Sequence, residues 1–233
     1  MKTTRVGLFR GLLICFAFVS ITPAHHRRYP PTWGLPRVFS NLSLDAGTGD
    51  VGGIEVILFK GDSHDWAAVI MASGVAEDPA LVPVVEQGYS IEFSMPPQRY
   101  TDYEKFTGTI SRRGLSLFND KRGRELLRKG RRAWGAPEVF SDLVLEPETG
   151  DVGGMEVILI KSYQQDWVVV MMASGAAEDP VLVPVIEKGN TIEFTLPPER
   201  YSDYGTMTAR ISAARMTLYS NGKRYTFLKR RFV

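Results

Sequence analysis

The sequence predicts an all-β protein of two tandem repeats. Each is an antiparallel meander of about eight strands closing into a small lipocalin- or avidin-like barrel or a sandwich. Three observations point there. The first is a stretch that occurs twice, GDVGGIEVILFK at 49–60 and GDVGGMEVILIK at 150–161. A constant offset of 101 residues superposes Trp33 on Trp134 and Gly49 on Gly150 and, without a gap, aligns nearly all of 33–132 with 134–233. Roughly half of the aligned positions are identical, which marks an internal duplication. The second is a succession of short runs alternating apolar and polar residues, the period of a half-buried strand. The third is that the connections are mostly too short for helical crossovers, so successive strands pair antiparallel. Closing both repeats into one larger barrel is the alternative arrangement.

The elements follow from the chain in order. Ser40, Leu42 and Leu44 alternate with Asn41, Ser43 and Asp45, and Gly47–Gly53 supplies a turn. Ile54–Lys60 and Asp65–Ser73 read as strands around the polar Gly61-Asp62-Ser63-His64. A loop at Glu77-Asp78-Pro79 leads to Leu81–Glu86, and Gln87-Gly88 turns into Tyr89–Met95. After the loop Pro96–Asp102, Phe106, Gly108 and Ile110 alternate with Thr107, Thr109 and Ser111. The last pair is clearest in the second repeat. There Asn221-Gly222 separates Arg215–Tyr219 from Arg224–Leu228, and both turn residues tolerate the positive φ of a type I′ hairpin. Trp167–Ala173 and Val157–Ile160 are apolar on both faces, so an outer face of this pair is expected to pack on the other repeat or on another subunit.

Residues 1–24 read as an export signal. Lys2, Arg5 and Arg10 precede the apolar run Gly11–Ile21, and Thr22-Pro23-Ala24 offers small residues for cleavage. The run is short for a membrane span, and no later stretch is long enough. Cys15, the only cysteine, falls inside it, without the small preceding residue that a lipoprotein signal wants. The mature chain then holds neither disulfides nor a catalytic thiol. Residues 25–32, HHRRYPPT, form a basic leader, followed by the repeats 33–132 and 134–233.

Composition is ordinary for a globular chain, with 44% hydrophobic and 23% charged residues. Taking Lys2, Arg5 and Arg10 from the 28 basic residues leaves 25 against 26 acidic, a net of −1. Overall charge therefore gives no argument for nucleic acid or any other polyanion. The charge is segregated, however. Residues 38–104 hold 11 acids and 2 bases, while 105–132 hold 2 acids and 10 bases. In the second repeat, 135–203 carry 13 acids and 3 bases, and 204–233 carry 7 bases and no acid. Pairing of the basic final strands with acidic neighbours is the expectation, the alternative being a patch for anionic polymers.

The motifs narrow the chemistry. Gly47-Thr48-Gly49-Asp50-Val51-Gly52 fits GxGxxG, but a β-rich run follows rather than a helix, so it reads as a turn. Asp45, Asp50, Glu146, Glu148 and Asp151 read as turn acids, with too few local oxygens for calcium. His64 is the only histidine outside the leader, and Gln165 replaces it in the second repeat, against a Ser-His-Asp or multi-histidine zinc site. Glu55 and Glu156 sit inside strands with apolar same-face neighbours, so each must be paired or raised in pKa. Glu92 shares a face with Ser90 and Ser94 and reads as solvated.

Two features recur as ligand-site candidates. Asp65-Trp66 and Asp166-Trp167 open equivalent strands, where each Trp is either a ligand floor at a barrel mouth or a plug of that end. PPQRYTDY at 96–103 and PPERYSDY at 197–204 place Arg99, Tyr100, Tyr103, Arg200, Tyr201 and Tyr204 on stiff loops, to recognise a ligand or to clamp the loop. The expectation is an exported, secreted or periplasmic, non-catalytic binding protein with no cofactor, each repeat offering a mouth formed by its Asp-Trp strand and its RYxDY loop. Its partner would be a small amphiphilic ligand or an envelope or protein surface, with repeat–repeat packing or homo-oligomerisation. A secreted hydrolase using strand carboxylates on carbohydrate and a structural envelope module are the alternatives.

Overall fold

The computed structural model describes residues 36–61, 64–100, 105–129, 137–162 and 164–230. The expected export segment, the leader and the link at 132–134 lie outside them, as do residues 101–104, which include Tyr103 of the first RYxDY-type loop.

The first repeat comprises β1 (Arg37–Ser40), β2 (Ser43–Leu44), β3 (Val51–Phe59), β4 (Asp65–Ala76) and β5 (Ala80–Gln87), then β6 (Ser90–Ser94), β7 (Lys105–Ile110), β8 (Gly114–Asn119) and β9 (Gly123–Lys129). Hydrogen bonding runs β1-β9-β8-β7-β6-β5-β4-β3, and β1 also pairs with β3, which closes a barrel of eight strands. The short β2 extends the sheet beside β3.

The second repeat repeats this plan with β10 (Glu138–Ser141), β11 (Val144–Leu145), β12 (Val152–Ile160), β13 (Trp167–Ala177), β14 (Val181–Pro184) and β15 (Ile186–Lys188). It continues through β16 (Thr191–Thr195), the single helical turn α1 (Pro198–Tyr201), β17 (Thr206–Ile211), β18 (Arg215–Ser220) and β19 (Lys223–Arg230). Here the counterpart of β5 is divided at Val185: β14 pairs with β13, β15 with β16, and the barrel is nearly closed. The gap is one residue wide, and the Val185 N–H still donates to the Asp166 carbonyl at 2.8 Å. The architecture is thus two barrels, not one.

Alternation along each strand sends one set of side chains inward. Phe39, Val56, Val69, Phe93, Phe106 and Leu127 belong to the core of the first barrel, and Phe140, Val157, Val170, Phe194, Met207 and Phe227 to that of the second. Both interiors are filled by side chains, so neither barrel is an open cup. The opposite face of the β3–β4 and β12–β13 pairs is apolar as well. Ile57, Phe59, Ala68 and Ile70 of the first repeat form one buried cluster with Val139, Ile158, Ile160 and Val169 of the second. The two-sided apolar strands are accounted for by this repeat–repeat packing.

The duplication departs from a gap-free alignment at its last hairpin. Phe39 is paired with Lys129 and Phe140 with Lys229, so the offset of 101 residues drops to 100 in the final strand. The cause is the turn. Ser220 pairs with Lys223 across Asn221-Gly222, whose φ of 46° and 75° suit a two-residue hairpin. In the first repeat Asn119 pairs with Gly123 across three residues, and Gly123 takes the positive φ of 74°. The deletion keeps Phe227, like Leu127, pointing inward at 0% exposure.

Candidate functional site

The Asp–Trp pairs and the RYxDY-type turns do not form a common mouth within either repeat. Trp66 lies at the start of β4, whereas the Tyr100 hydroxyl donates to the carbonyl of Asp78, just beyond the other end of that strand. On the order of 30 Å of strand separates them. Trp66 and Trp167 also point outward, partly buried against the cluster between the barrels, so neither plugs a barrel interior. The Trp167 indole N–H is buried without a partner among the described residues. Across the repeats the two features do approach. The His64 ring centroid is 4.7 Å from that of Trp66, and its Nε2 comes within 4.0 Å of the Asp179 carboxylate.

The aspartates beside the tryptophans hold hairpins. Lys60 Nζ donates to Asp65 at 2.5 Å and to Glu86 at 3.2 Å, and Arg37 donates to Glu86 at 2.7 Å. In the second repeat Lys161 bridges Asp166, at 2.9 Å, and Glu187, while Asp166 also accepts from the Ser162 N–H at 3.0 Å. Burial alone would depress both lysines, but the carboxylates raise their pKa on balance. They remain charged across the physiological range.

The turns at the other barrel ends are locally over-determined. Consecutive prolines at 197 and 198 start α1, fixing φ where no N–H is needed. Arg200 donates to the Asp179 carbonyl at 2.6 Å, and its guanidinium carbon lies 5.2 Å from the Tyr201 ring centroid. Arg99 and Tyr100 copy this, with 3.1 Å to the Asp78 carbonyl and 5.6 Å to the ring. Both Tyr100 and Tyr201 are buried, at 3% exposure, and burial pushes each phenol up to about 12. They act as neutral hydroxyls.

In the second barrel this turn borders a cavity of about 390 Å³. Tyr201, Tyr204 and Tyr225 supply one wall, with ring centroids 6.4 Å and 6.5 Å apart along the series. Met155 and Met172 contribute apolar surface, and Asp142, Glu178 and Arg200 polar groups. The turn is pinned by Ser220 Oγ, donating to the Tyr204 carbonyl at 2.5 Å, and by Asn221 Nδ2, donating to the Asp203 carbonyl at 2.5 Å. Asp142 Oδ1 accepts the Met155 N–H at 2.7 Å, and partial burial raises the carboxyl pKa against that bond.

Of the sequence candidates, the structure therefore brings Arg200, Tyr201 and Tyr204 to one cavity and leaves Asp65, Trp66, Asp166 and Trp167 at hairpins and the inter-barrel contact. Arg99 and Tyr100 take the equivalent turn of the first barrel. Reading the sequence missed Asp142, Glu178 and Tyr225. With the final-strand offset of 100, Tyr225 corresponds to Glu125, and with the general offset of 101, Asp142 corresponds to Asn41. In the first barrel those two close on each other, Asn41 Nδ2 donating to Glu125 at 2.7 Å. The comparison of turn lengths is the signal that would have found Tyr225. Among the described residues, no three His, Cys, Asp or Glu side chains gather as a metal site, and no helix is long and apolar enough to cross a membrane. No protein-family model matches the chain, and no curated protein matches it in sequence.

Proposed function

We propose that the protein is an exported, non-catalytic binding protein whose small-ligand site is the cavity at the RYSDY end of the second barrel. The observation that carries this reading is the joint presence of three tyrosines, two methionines and a few polar groups around about 390 Å³ of space. An apolar wall with a small number of polar handles is the usual make-up of a ligand pocket. The ligand is a small amphiphile, its flat or apolar part against the tyrosines and its polar end toward Asp142 and Glu178. Duplication has not made two equal sites, because Asn41 and Glu125 occupy the corresponding place in the first barrel. Glu55 and Glu156, the strand carboxylates on which a hydrolase would draw, are buried at 0% and 2% exposure and lend that alternative no support.

The double substitution Asp142→Asn with Tyr225→Glu imports the first barrel's closure into the second. With the neutral dye Nile red as probe, it should abolish saturable fluorescence enhancement while leaving the melting temperature near wild type. Unchanged dye binding in the folded variant rejects the pocket. Export rests on Lys2, Arg5, Arg10 and the apolar run 11–21. A secreted or periplasmic product beginning near His25 by mass spectrometry is the expected result, and an uncleaved cytoplasmic chain the contrary one.

A further inference from the structure

The outer wall of each barrel, on the side away from the repeat–repeat contact, carries a row of side chains set by strand register. In the first repeat the row runs Val85, Glu92, Thr107, Phe118, Arg124 across β5 to β9. In the second it runs Ile186, Glu193, Thr208, Tyr219, Arg224 across β15 to β19. An aromatic ring thus lies between a threonine and an arginine at the same place in both copies. Phe118 and Tyr219 are 45% and 47% exposed. They add nothing to either core, whose inward positions are filled from the other face of the same strands. Beside Phe118 the surface forms a groove of about 570 Å³, bordered also by the hydroxyl side chains Ser90, Thr107, Thr109 and Ser116.

Charge gives the second observation. Arg124, Arg128, Arg210, Arg215 and Arg224 are exposed and make no ion pair among the described residues. The pairing expected for the basic final strands is found for Lys105, with Glu92 at 2.7 Å, and for Lys229, with Glu138 at 2.6 Å, but it does not extend to these arginines. Because Lys105 already engages Glu92, the wall in front of Phe118 is cationic in balance. Register places Arg210 one row from Tyr219, opposite Thr217.

We propose that these two walls bind an acidic polysaccharide. A sugar ring presents a face of C–H groups that packs on an exposed aromatic ring. Its hydroxyls both donate and accept, as do serine and threonine side chains, whereas nucleobase edges carry fixed donors and acceptors. Carboxylate or sulfate groups along the polymer meet guanidinium forks, which bind them bidentately and stay charged at all working pH. Since β3, β4, β12 and β13 spend their outer faces on the contact between barrels, the two walls lie on the far sides of the molecule. One chain therefore holds two polymer segments and cross-links them. This surface is separate from the end cavity of the second barrel.

The test is calorimetric titration of the full chain with polygalacturonate, alongside its methyl-esterified form and a single-stranded oligothymidylate. The expected result is binding to polygalacturonate that weakens with salt, little binding to the ester, and two sites per chain. Phe118→Ala and Tyr219→Ala should each remove one site, and the double variant should weaken binding at least tenfold. Arg124→Gln with Arg224→Gln should flatten the salt dependence. All four positions are exposed, so melting and Nile red binding should be unchanged. Absence of polygalacturonate binding, ring variants that bind like wild type, or tighter binding to oligothymidylate each overturn the proposal.

Discussion

Glu156 shows what one buried residue does to the whole. It lies mid-strand in β12, opposite Ser141 on β10 and Met171 on β13. Burial raises its pKa to about 7, although a hydrogen bond with Ser141 and the charge of Arg230 both pull the other way. One carboxylate oxygen, Oε1, has no partner among the described residues. Below the ordinary value of 4.5 the group is protonated whether the chain is folded or not. Between 4.5 and about 7 the unfolded chain releases the proton while the folded one keeps it, so stability falls as pH rises. Above that window the loss is complete, about 3 kcal/mol. Glu156→Gln should therefore stabilise the protein at pH 8 by up to about 3 kcal/mol and by little at pH 4. Urea midpoints measured at both values check this, and a variant that keeps the wild-type slope contradicts it. The burial was legible in sequence, because Ile57 and Phe59 share a face with Glu55 in the sister strand. The facing Ser141 and Arg230 were not, since they come from strands distant along the chain.

Among the elements, the closing hairpins explain why register was the part of the fold least visible beforehand. The final strand contains Leu126-Leu127 in one repeat and Phe227-Leu228 in the other, so either phase offers an apolar residue to the core. Only turn length breaks the tie, and it differs by one residue between the copies. The tryptophans were obscured for a related reason. The strands they open are apolar on both faces, and such a run predicts cover on both sides but erases the phase that would orient Trp66. Strand order and number, by contrast, followed directly from alternation and turn residues. Two glycines separate backbone strain from crowding. Gly222, at φ 75°, has nothing within 4 Å of an added Cβ, whereas Gly154, at φ 111°, would place that carbon 2.8 Å from the Asp142 carbonyl oxygen. Gly222→Ala should cost about 1 kcal/mol, and Gly154→Ala about 3 kcal/mol because strain and clash add. Comparable melting temperatures for the two variants would show that the backbone around Gly154 yields.

At the scale of the molecule, the contact between barrels decides how independent the halves are. Each repeat owns a filled core, so each has what a domain of about 100 residues needs to fold alone. Yet Ile57, Phe59, Ile158 and Ile160, at 0 to 3% exposure, are covered only because the other barrel is present. Exposing a large apolar side chain costs about 2 kcal/mol, so separation carries a penalty without abolishing either core. Expressed separately, residues 33–132 and 134–233 should each give a β-type circular dichroism spectrum and a cooperative melt at lower temperature than the intact chain. Each should also bind a hydrophobic dye over the bared face of its long strands. Mixed in equal amounts, they should recover a one-to-one complex by size-exclusion chromatography, with dye binding reduced. Ile158→Glu in one half should prevent that recovery while sparing its own melt, because the side chain points out of the barrel. If neither half folds alone, the barrels form one cooperative unit. If both fold but do not associate, the apolar contact contributes little, and the link between repeats is what holds them together.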